Sequence, residues 1–211
     1  MVVTNDEALA ALETLIKTQP KPTTPWTPVE PYDFPTRRTV EGQHPARIVQ
    51  AFAPTTVLDY GCGAGYLVAL LAEQGVRVKG YEPSTALAAS VPPYVEHLIG
   101  RELPRPSSSA YELVICREVL EHVPFAEIGT LIARLCALSS RWVYVTTRFA
   151  KNPQHFLSVD TADDLDPTHI TMINPDFLRL LFVLQGFKRR ADLEAIVDWQ
   201  NKGRCLVYER S

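Results

Sequence analysis

Three glycines, each separated from the next by one residue, join an apolar segment to a helical one in this chain. The run reads Val57-Leu58-Asp59-Tyr60-Gly61-Cys62-Gly63-Ala64-Gly65-Tyr66. The apolar residues before the glycines are typical of a short buried strand, and Leu67, Leu70 and Leu71 recur behind them at helical spacing. Glycine lets the backbone bend tightly and approach a ligand without a Cβ clash. Such a strand–turn–helix unit favours an open α/β sheet, in which ligands bind beyond the carboxyl ends of the strands.

Strand-like and helix-like segments alternate over the rest of the chain. The sequence predicts strands at 55–60, 76–82, 94–99, 113–116, 142–147, 187–190 and 205–209. It predicts helices at 45–52, 66–74, 84–90, 124–138 and from Pro175 to just before Gly186. The alternation indicates a mostly parallel sheet with helices on both faces and right-handed crossovers. No helix is predicted between the last two strands, so we expect them to be antiparallel.

The first 41 residues differ from the remainder. Thr4 and Glu7 form a capping-box pattern, and the leucines behind them predict an amphipathic helix over about residues 5–18. Six prolines follow between residues 20 and 35, which excludes a helix or a central strand there. Aromatic residues are unusual in linkers, yet this segment contains Trp26, Tyr32 and Phe34. We therefore expect residues 1–41 to form a helix and an arm that acts as a lid, and residues 42–211 to form one compact domain.

Composition excludes several classes of protein. The 211 residues include 21 Lys+Arg and 24 Asp+Glu, a net charge of −3, which argues against broad nucleic-acid binding. No apolar run is long enough to span a bilayer, and the N-terminus does not resemble a signal peptide, so we expect a cytoplasmic protein without a membrane partner. The four cysteines lie far apart, which argues against a zinc knuckle or a disulfide framework. They are Cys62, Cys116, Cys136 and Cys205.

The spacing of the glycines distinguishes between cofactor classes. A dinucleotide fingerprint requires Gly-x-Gly-x-x-Gly, but here Gly65 is one place early and Tyr66 occupies the last glycine position. A Walker P-loop is excluded because no Gly-Lys-Ser/Thr follows. The run resembles motif I of class I S-adenosylmethionine-dependent methyltransferases, Asp-x-Gly-x-Gly-x-Gly. The resemblance implies that the loop holds the methionine part of the cofactor, and it assigns cofactor contacts to Asp59, Gly61, Cys62, Gly63, Gly65 and Tyr66.

A second acidic residue supports this cofactor. Glu82 ends the second predicted strand, 21 residues after Gly61, where a carboxylate can accept hydrogen bonds from both ribose hydroxyls. Glu82 and Pro83 therefore resemble the second motif of the family. After the third strand the family usually has an acid or amide near the adenine amino group. This chain has Arg101 there, so either Glu102 or the backbone serves instead.

The fourth motif indicates where the acceptor lies. Residues 113–124 are similar to the Glu-Val-Leu-Glu-His-Val stretch of many small-molecule methyltransferases, including ubiquinone-pathway O-methyltransferases. The resemblance covers residues 42–148 well and implies a Rossmann-like sheet of seven strands in the order 3-2-1-4-5-7-6. It places Cys116 and Arg117 near the sulfonium. It also implies S-adenosyl-L-methionine as donor, S-adenosyl-L-homocysteine as product and a small-molecule acceptor, methylated through oxygen in preference to nitrogen.

Methylation of a hydroxyl requires a group that removes its proton. Histidine is the natural base near neutral pH, and His169 and His122 are the candidates, with Arg117 as a further catalytic candidate. His169 precedes the predicted helix at Pro175, and we interpret it either as a base or substrate contact or as a residue that holds the loop. His122 follows a buried strand, which favours a structural role.

Two alternatives remain open at this point. Glu118, Glu121 and His122 fall within one helical turn and, with His169, could bind a divalent cation. Small-RNA 3′-terminal 2′-O-methyltransferases use a similar set. Metal-free relatives carry the same Glu-x-x-Glu-His run, so we expect no metal. The protein could also be a partner subunit that binds the cofactor without catalysis.

Overall fold

The structure is a computed structural model that describes residues 42–85, 87, 91–103, 105, 111–150, 157–158, 168–198, 200 and 202–211, with Ala10, Glu13, Thr14, Lys17 and Thr39. The strands in these residues are β1 (Thr56–Tyr60), β2 (Arg77–Tyr81), β3 (Ile99–Gly100), β4 (Tyr111–Arg117), β5 (Ser139–Thr146), β6 (Leu157–Ser158), β7 (Met172–Ile173), β8 (Phe187–Arg189) and β9 (Cys205–Arg210). The helices are α1 (His44–Phe52), α2 (Tyr66–Glu73), α3 (Pro93–Glu96), α4 (Phe125–Leu138), α5 (Pro175–Leu184) and α6 (Ala191–Val197), and a 3-10 turn spans Leu120–His122.

The large sheet confirms the predicted fold class. Its strands run in the order β3-β2-β1-β4-β5-β9-β8, while β6 and β7 pair separately. Since β8 and β9 are the sixth and seventh strands of this sheet, the order is the expected 3-2-1-4-5-7-6. The pairings among β1 to β5 are parallel, and β9 is antiparallel to both of its neighbours. The carboxyl ends of β2, β1, β4 and β5 therefore meet at one edge.

Successive side chains of the central strands point to opposite faces of the sheet, as in any strand. Val114, Cys116, Val143 and Val145 pack in one core with α4 and α5. Leu113, Ile115, Trp142 and Tyr144 pack in a second core with α1, α2 and α6. We call these sides the α4 face and the α1 face. Burial of both faces explains why the central strands are continuous apolar runs.

The third strand is shorter than predicted and begins later. Residues 93–96 form helix α3, and only Ile99 and Gly100 pair with β2. Pro93 stands in the first turn of α3 behind the extended Pro92. Proline suits this position because its fixed φ is helical and its missing N–H would have no partner there. The prediction of a strand over 94–99 is wrong for that reason.

The expectation that no helix separates the last two strands is also wrong, because α6 lies between β8 and β9. Leu193 and Val197, four residues apart, enter the core of the α1 face. Glu194 of this helix accepts hydrogen bonds from the Arg189 guanidinium at 2.7 Å and from the Val207 N–H at 3.1 Å. The antiparallel arrangement is nevertheless correct.

Several predictions fall largely on residues that the structure does not describe. Ala10, Glu13, Thr14 and Lys17 are helical, within the helix predicted at 5–18. Thr85 and Leu87 are in 3-10 conformation within the helix predicted at 84–90. The aromatic residues of the proposed lid, Trp26, Tyr32 and Phe34, lie outside the described residues. In the part of the chain that is described, no helix has the length and apolar character needed to cross a membrane.

Candidate functional site

The glycine turn connects β1 to α2 and is tied to the end of β2. Gly61, Gly63 and Gly65 all have positive φ, at 77°, 58° and 77°. The N–H groups of Gly61 and Cys62 both donate to the Tyr81 carbonyl, at 2.8 Å and 3.1 Å. Left-handed backbone is costly for residues with a Cβ, so conformation alone favours glycine at these three positions. The Gly63 and Gly65 N–H groups are also bonded within the protein, to Glu82 Oε2 and to the Cys62 carbonyl, at 3.0 Å each.

Neighbouring side chains impose a second requirement on this turn. A Cβ on Gly61 would lie 2.5 Å from Val119 Cγ2, and one on Gly65 would overlap Ile99 Cδ1. Gly80, on β2, is a position that the sequence did not single out. A Cβ there would lie 2.6 Å from Cys62 Sγ, so the bare backbone of Gly80 makes room for the turn.

Glu82 lies beside the turn, at the end of β2. Its Oε2 accepts from the Gly63 N–H at 3.0 Å, and its Oε1 accepts from the Ser84 N–H at 2.8 Å. Burial raises the pKa of Glu82, although both hydrogen bonds and the Arg101 charge oppose that rise. Each carboxylate oxygen has a second lone pair, so the group fits the role of accepting from the two hydroxyls of a ribose.

The remaining predicted cofactor residues lie near this turn, at the end of β4, or just after β2 and β3. Asp59 is 4% exposed, and Arg117 Nη1 donates to the Tyr66 hydroxyl at 3.1 Å, which links the end of β4 to α2. Cys116 is buried on the α4 face, where burial, followed by Glu121 and Asp59, raises the pKa of its thiol. Pro83 and Glu102 are exposed. Their contacts with a cofactor stay predictions.

A cluster of Glu121, His122 and His169 lies beyond the carboxyl end of β4. One carboxylate oxygen and one nitrogen from each imidazole lie within 4.8 Å of one another. The Ile170 and Thr171 N–H groups donate to the Glu121 carbonyl at 2.8 Å and 3.0 Å. These two bonds fasten the segment that carries His169 onto the 3-10 turn. The fold thus brings together His122 and His169, which are 47 positions apart in the sequence.

The electrostatics of the cluster are set by burial. Glu121 is fully buried, and its Oε2 accepts from the Thr147 hydroxyl at 2.9 Å. Burial, followed by the nearby charge of Glu118, raises the pKa of Glu121 to about 8. His122 Nδ1 lies 3.2 Å from the Thr168 carbonyl. The Thr168 hydroxyl, which can donate or accept, lies closer to the same nitrogen, at 2.9 Å, so the two contacts hold the ring in either tautomer.

Glu118 is not a member of this three-residue cluster, although its charge lies near enough to raise the pKa of Glu121. Its carboxylate is exposed and lies 3.8 Å from Arg204 Nη1. Its backbone is left-handed, with φ of 51°, and its N–H donates to the Thr146 carbonyl at 2.9 Å. The four-residue set of the sequence is therefore a three-residue cluster in the structure, with Glu118 beside it.

A separate cavity of about 460 Å³ lies between α5 and α6. Four of its five charged residues pair with one another: Arg189 binds Glu194 at 2.7 Å, and Arg179 lies 3.5 Å from Asp176. None of the predicted site residues lines it. The cavity therefore adds nothing to the site at the strand ends.

An open parallel sheet with a glycine turn after β1 and a carboxylate at the end of β2 defines a nucleoside-binding enzyme of the Rossmann-like class. Residues 37–191 match the family model described as "Methyltransferase domain". The chain belongs to this methyltransferase family. It is an S-adenosylmethionine-dependent methyltransferase, with S-adenosyl-L-methionine as cofactor and S-adenosyl-L-homocysteine as product.

Two similar proteins are ubiquinone biosynthesis O-methyltransferases. The chain is 27% identical over 161 residues to a ubiquinone biosynthesis O-methyltransferase of Paraburkholderia phytofirmans, covering 69% of each chain. It is 33% identical over 101 residues to the protein of that name from Paraburkholderia xenovorans, covering 44% of each chain.

Solved structures share the fold at low sequence identity. Magnesium protoporphyrin IX methyltransferase from Synechocystis PCC 6803 with bound SAH superposes with a TM-score of 0.59 at 18% identity, covering 98% of this chain and 96% of that one. Geranyl diphosphate C-methyltransferase from Streptomyces coelicolor A3(2) gives 0.60 at 12% identity, covering 82% and 80%.

Proposed function

We propose that the protein transfers the methyl group of S-adenosyl-L-methionine to a hydroxyl of a small molecule. The observation that carries the proposal is the Glu121–His122–His169 cluster, which lies beyond β4, the strand next to β1 and its glycine turn. Groups able to take a proton therefore stand beside the place where the donor is expected. The names of the relatives, ubiquinone biosynthesis O-methyltransferases, support oxygen as the acceptor atom.

In this proposal the donor lies across the glycine turn with its ribose on Glu82. The bare backbone of the turn and the start of α2 hold the methionine part, and Arg117 and Cys116 border the sulfonium. Placement and exclusion of water are the main contributions of a protein to such an in-line displacement, because charge is neutralised as the new bond forms.

The acceptor proton is proposed to pass to the imidazole of His169. The acceptor oxygen forms its bond to the methyl carbon while the bond from that carbon to sulfur breaks. The sulfonium becomes the neutral thioether of S-adenosyl-L-homocysteine, and His169 leaves the step as imidazolium. His169 is only 6% exposed, so its ring can be held in one orientation. His122, fixed by Thr168, is proposed to position it.

A screen of hydroxyl compounds with labelled methyl donor identifies the acceptor and tests the activity. With that acceptor, we expect His169→Ala to lower kcat by about 10²–10⁴-fold and to leave the affinity for S-adenosyl-L-homocysteine unchanged. His97→Ala is the matched control, because His97 is an exposed histidine that precedes β3 and lies outside the cluster of Glu121, His122 and His169. Full kcat in His169→Ala would contradict the assignment of the base.

The same cluster supports a second candidate, methyl transfer that depends on a divalent cation. A carboxylate oxygen and two imidazole nitrogens within 4.8 Å suit transition metals such as zinc or manganese. When bound, the ion would lower the pKa of the acceptor hydroxyl. Loss of activity on dialysis against a chelator, with recovery on adding the metal, would favour this candidate. Unchanged activity would favour His169 as the base. An assay of methyl transfer to small RNA acceptors tests whether such a metal-dependent enzyme acts on RNA.

Residues 1–41 are proposed to form a lid over the acceptor. We expect Trp26→Ala to raise the KM for the acceptor while the affinity for S-adenosyl-L-homocysteine stays constant. Equal KM values would contradict the lid. A protein that purifies with S-adenosyl-L-homocysteine yet methylates nothing in cell extracts would instead be a non-catalytic partner subunit.

A further inference from the structure

Helix α5 is apolar on its outer side as well as on the side that packs on the sheet. Leu178 and Phe182 enter the core of the α4 face. On the outer side, Leu180, Val183 and Leu184 are 50%, 52% and 69% exposed. Their spacing of i, i+3 and i+4 makes them one continuous ridge, which we call the α5 ridge. A helix that lies at a protein surface is expected to be polar on its outer side, so an apolar ridge there indicates a second partner.

Helix α4 lies beside α5 and has small side chains along its outer side. Ala126, Thr130 and Ala137 are exposed, and Ala133 is half-buried. Their spacing of i, i+4, i+7 and i+11 places them on one face of the helix. With Gly129 beside them, they form a shallow depression next to the α5 ridge, which we call the α4 groove.

Gly129 has no packing role within the described part of the chain. A Cβ added to it would meet no atom within 4 Å outside its own helix. Glycine in the interior of a helix is destabilising relative to alanine, because it loses more backbone freedom on folding. Such a glycine usually has a reason in packing or function, and close approach of another helix is a reason that fits the α4 groove.

The two helices run in the same direction and start at the same level. Helix α4 leads from β4 to the parallel β5, and α5 leads to β8, which is antiparallel to β9 and therefore parallel to β5. In their first turns, the ring centroids of Phe125 and Phe177 are 5.9 Å apart. Residues at equal distances behind these two rings therefore lie side by side.

This arrangement places opposite charges on the two outer flanks of the helix pair. Glu127 and Arg179 each follow one of the facing rings by two residues, which is a turn of about 200° around the helix axis. They therefore point away from each other, Glu127 beyond α4 and Arg179 beyond α5, at one level. Both are exposed, and the contact given for Arg179 is a 3.5 Å pair with the exposed Asp176.

A two-fold axis that runs parallel to the helices matches all of these features at once. It places α5 of each copy over α4 of the other, so that the α5 ridge enters the α4 groove. It also places Glu127 of each copy beside Arg179 of the other, at the same level. A two-fold axis across the helices would instead oppose ridge to ridge. The face is therefore self-complementary, as an isologous interface requires.

We propose that the outer face of α4 and α5 binds a second copy of this chain, with the α5 ridge of each copy in the α4 groove of the other. The helices are about 21 Å and 15 Å long, so the face measures about 20 Å in each direction. Contact of this extent is at the lower end of specific interfaces, so we expect a dimer that dissociates at micromolar concentration. The inference does not depend on the proposed function.

A lipid surface is a competing occupant, because an exposed apolar helix can also lie on a bilayer. Helices that do so carry several Lys or Arg residues beside their apolar face. Helix α5 carries one arginine and one aspartate among its ten residues. The small side chains of the α4 groove offer little apolar surface to a bilayer, whereas they fit the ridge of a second copy.

Sedimentation equilibrium of the full chain between about 1 and 200 µM tests the proposal. We expect the mass to rise with concentration from the 23.6 kDa of one chain towards twice that value. Leu180→Glu and Leu184→Glu should each lower the association constant by about tenfold or more, because each would bury a carboxylate against apolar side chains. Leu103→Glu, at an exposed leucine in the segment after β3, should leave it unchanged.

Gly129→Arg blocks the α4 groove without a folding defect. Open space surrounds an added Cβ at this position, and arginine is a better helix former than glycine. The melting temperature of this variant at the lowest concentration should therefore equal or exceed that of the wild type. Its association constant should still fall by about tenfold or more, because the long side chain fills the space of the partner's ridge.

Reversal of the two flank charges tests the two-fold axis itself. Glu127→Arg and Arg179→Glu should each lower the association constant by about two- to fivefold, since each sets like charges against one another. The double variant should recover most of the wild-type association constant, because the opposite charges then face each other again.

A wild-type chain that stays monomeric at every concentration would overturn the proposal. So would a dimer that survives both Leu180→Glu and Gly129→Arg, or a double charge variant that associates less than either single one. A monomer that binds vesicles of phosphatidylcholine and phosphatidylglycerol, and loses this binding in Leu184→Glu, would assign the α5 ridge to a lipid surface and also overturn it.

Discussion

At the scale of single residues, Gly61 is constrained by both its backbone and its surroundings. Its φ is 77°, and an added Cβ would lie 2.5 Å from Val119 Cγ2. We expect Gly61→Ala to lower the free energy of unfolding by about 2–4 kcal/mol, from left-handed strain and overpacking together. The clash lies in the cofactor turn, so the affinity for S-adenosyl-L-homocysteine should also fall. Chemical denaturation and calorimetry measure the two effects.

Gly75 supplies a matched control for this variant. Its φ is 79°, but no atom lies within 4 Å of an added Cβ. Gly75→Ala should therefore cost only the backbone strain, about 1 kcal/mol, without a change in cofactor affinity. Combining Gly61→Ala with Val119→Ala should recover part of the lost stability. If Gly61→Ala and Gly75→Ala behaved alike, the packing of Val119 against the turn would not matter.

Glu82 gives a prediction about pH. Burial raises its pKa above the usual value of 4.5 for glutamate, and only the ionised carboxylate accepts from both ribose hydroxyls. Affinity for S-adenosyl-L-homocysteine should therefore be complete above the raised pKa and be lost as the pH falls through it. Calorimetry between about pH 5 and 8 checks this expectation. Glu82→Gln should bind weakly, with no such dependence. An acid limb that persists in Glu82→Gln would assign the titration to another group.

The sequence predicts a site residue when the constraint on it comes from its neighbours along the chain. It does not predict one whose constraint comes from another element of the fold. The need for Gly61, Gly63 and Gly65 is local, because three closely spaced glycines after a strand already specify a left-handed turn. The need for Gly80 is not local, because it depends on the side chain of Cys62, which belongs to the turn after β1 and packs against β2.

At the scale of elements, the cap of α5 can be tested by itself. Asn174 Oδ1 accepts from the Asp176 N–H at 2.8 Å at the start of this helix. We expect Asn174→Ala to lower the free energy of unfolding by about 1 kcal/mol, or the melting temperature by roughly 2–4 °C. Gln43 occupies the N-cap of α1 and makes no side-chain cap bond, so Gln43→Ala should change stability by less than about 0.5 kcal/mol. Equal effects would remove the evidence for a working cap.

Long helices with a regular apolar pattern were predicted well from the sequence, whereas short helices and strands were not. The helix at Phe125–Leu138 presents Ile128, Leu131, Ile132 and Leu135 to one core, a pattern that 14 residues make unambiguous. Helix α6 has only seven residues, of which Leu193 and Val197 enter the core. Its formation depends on burial against the sheet. The position of β3 likewise depends on where Pro93 starts a helix, so local periodicity did not find it.

At the scale of the whole molecule, cofactor binding should stabilise the fold by mass action. A ligand at 100 times its Kd contributes about 2.7 kcal/mol, which corresponds to roughly 5–10 °C in melting temperature for a chain of this size. We expect S-adenosyl-L-homocysteine to produce this shift in a thermal melt. NAD should produce none, because Tyr66 occupies the place of the last glycine in a dinucleotide turn. A shift with NAD alone would contradict the reading of the turn.

The mostly parallel sheet was predictable from the alternation of elements, and the order of its strands from the family resemblance. The acceptor side of the candidate site was less predictable from the sequence. His122 and His169 could be suggested from residue type, but their meeting depends on the bonds from Ile170 and Thr171 to Glu121.

A crystal structure of the protein with S-adenosyl-L-homocysteine tests the central claim most directly. The account predicts that both ribose hydroxyls lie within hydrogen-bond distance of the Glu82 carboxylate. It also predicts that the sulfur faces the cluster of Glu121, His122 and His169. A nucleoside bound away from Glu82, or a sulfur directed away from that cluster, would contradict it.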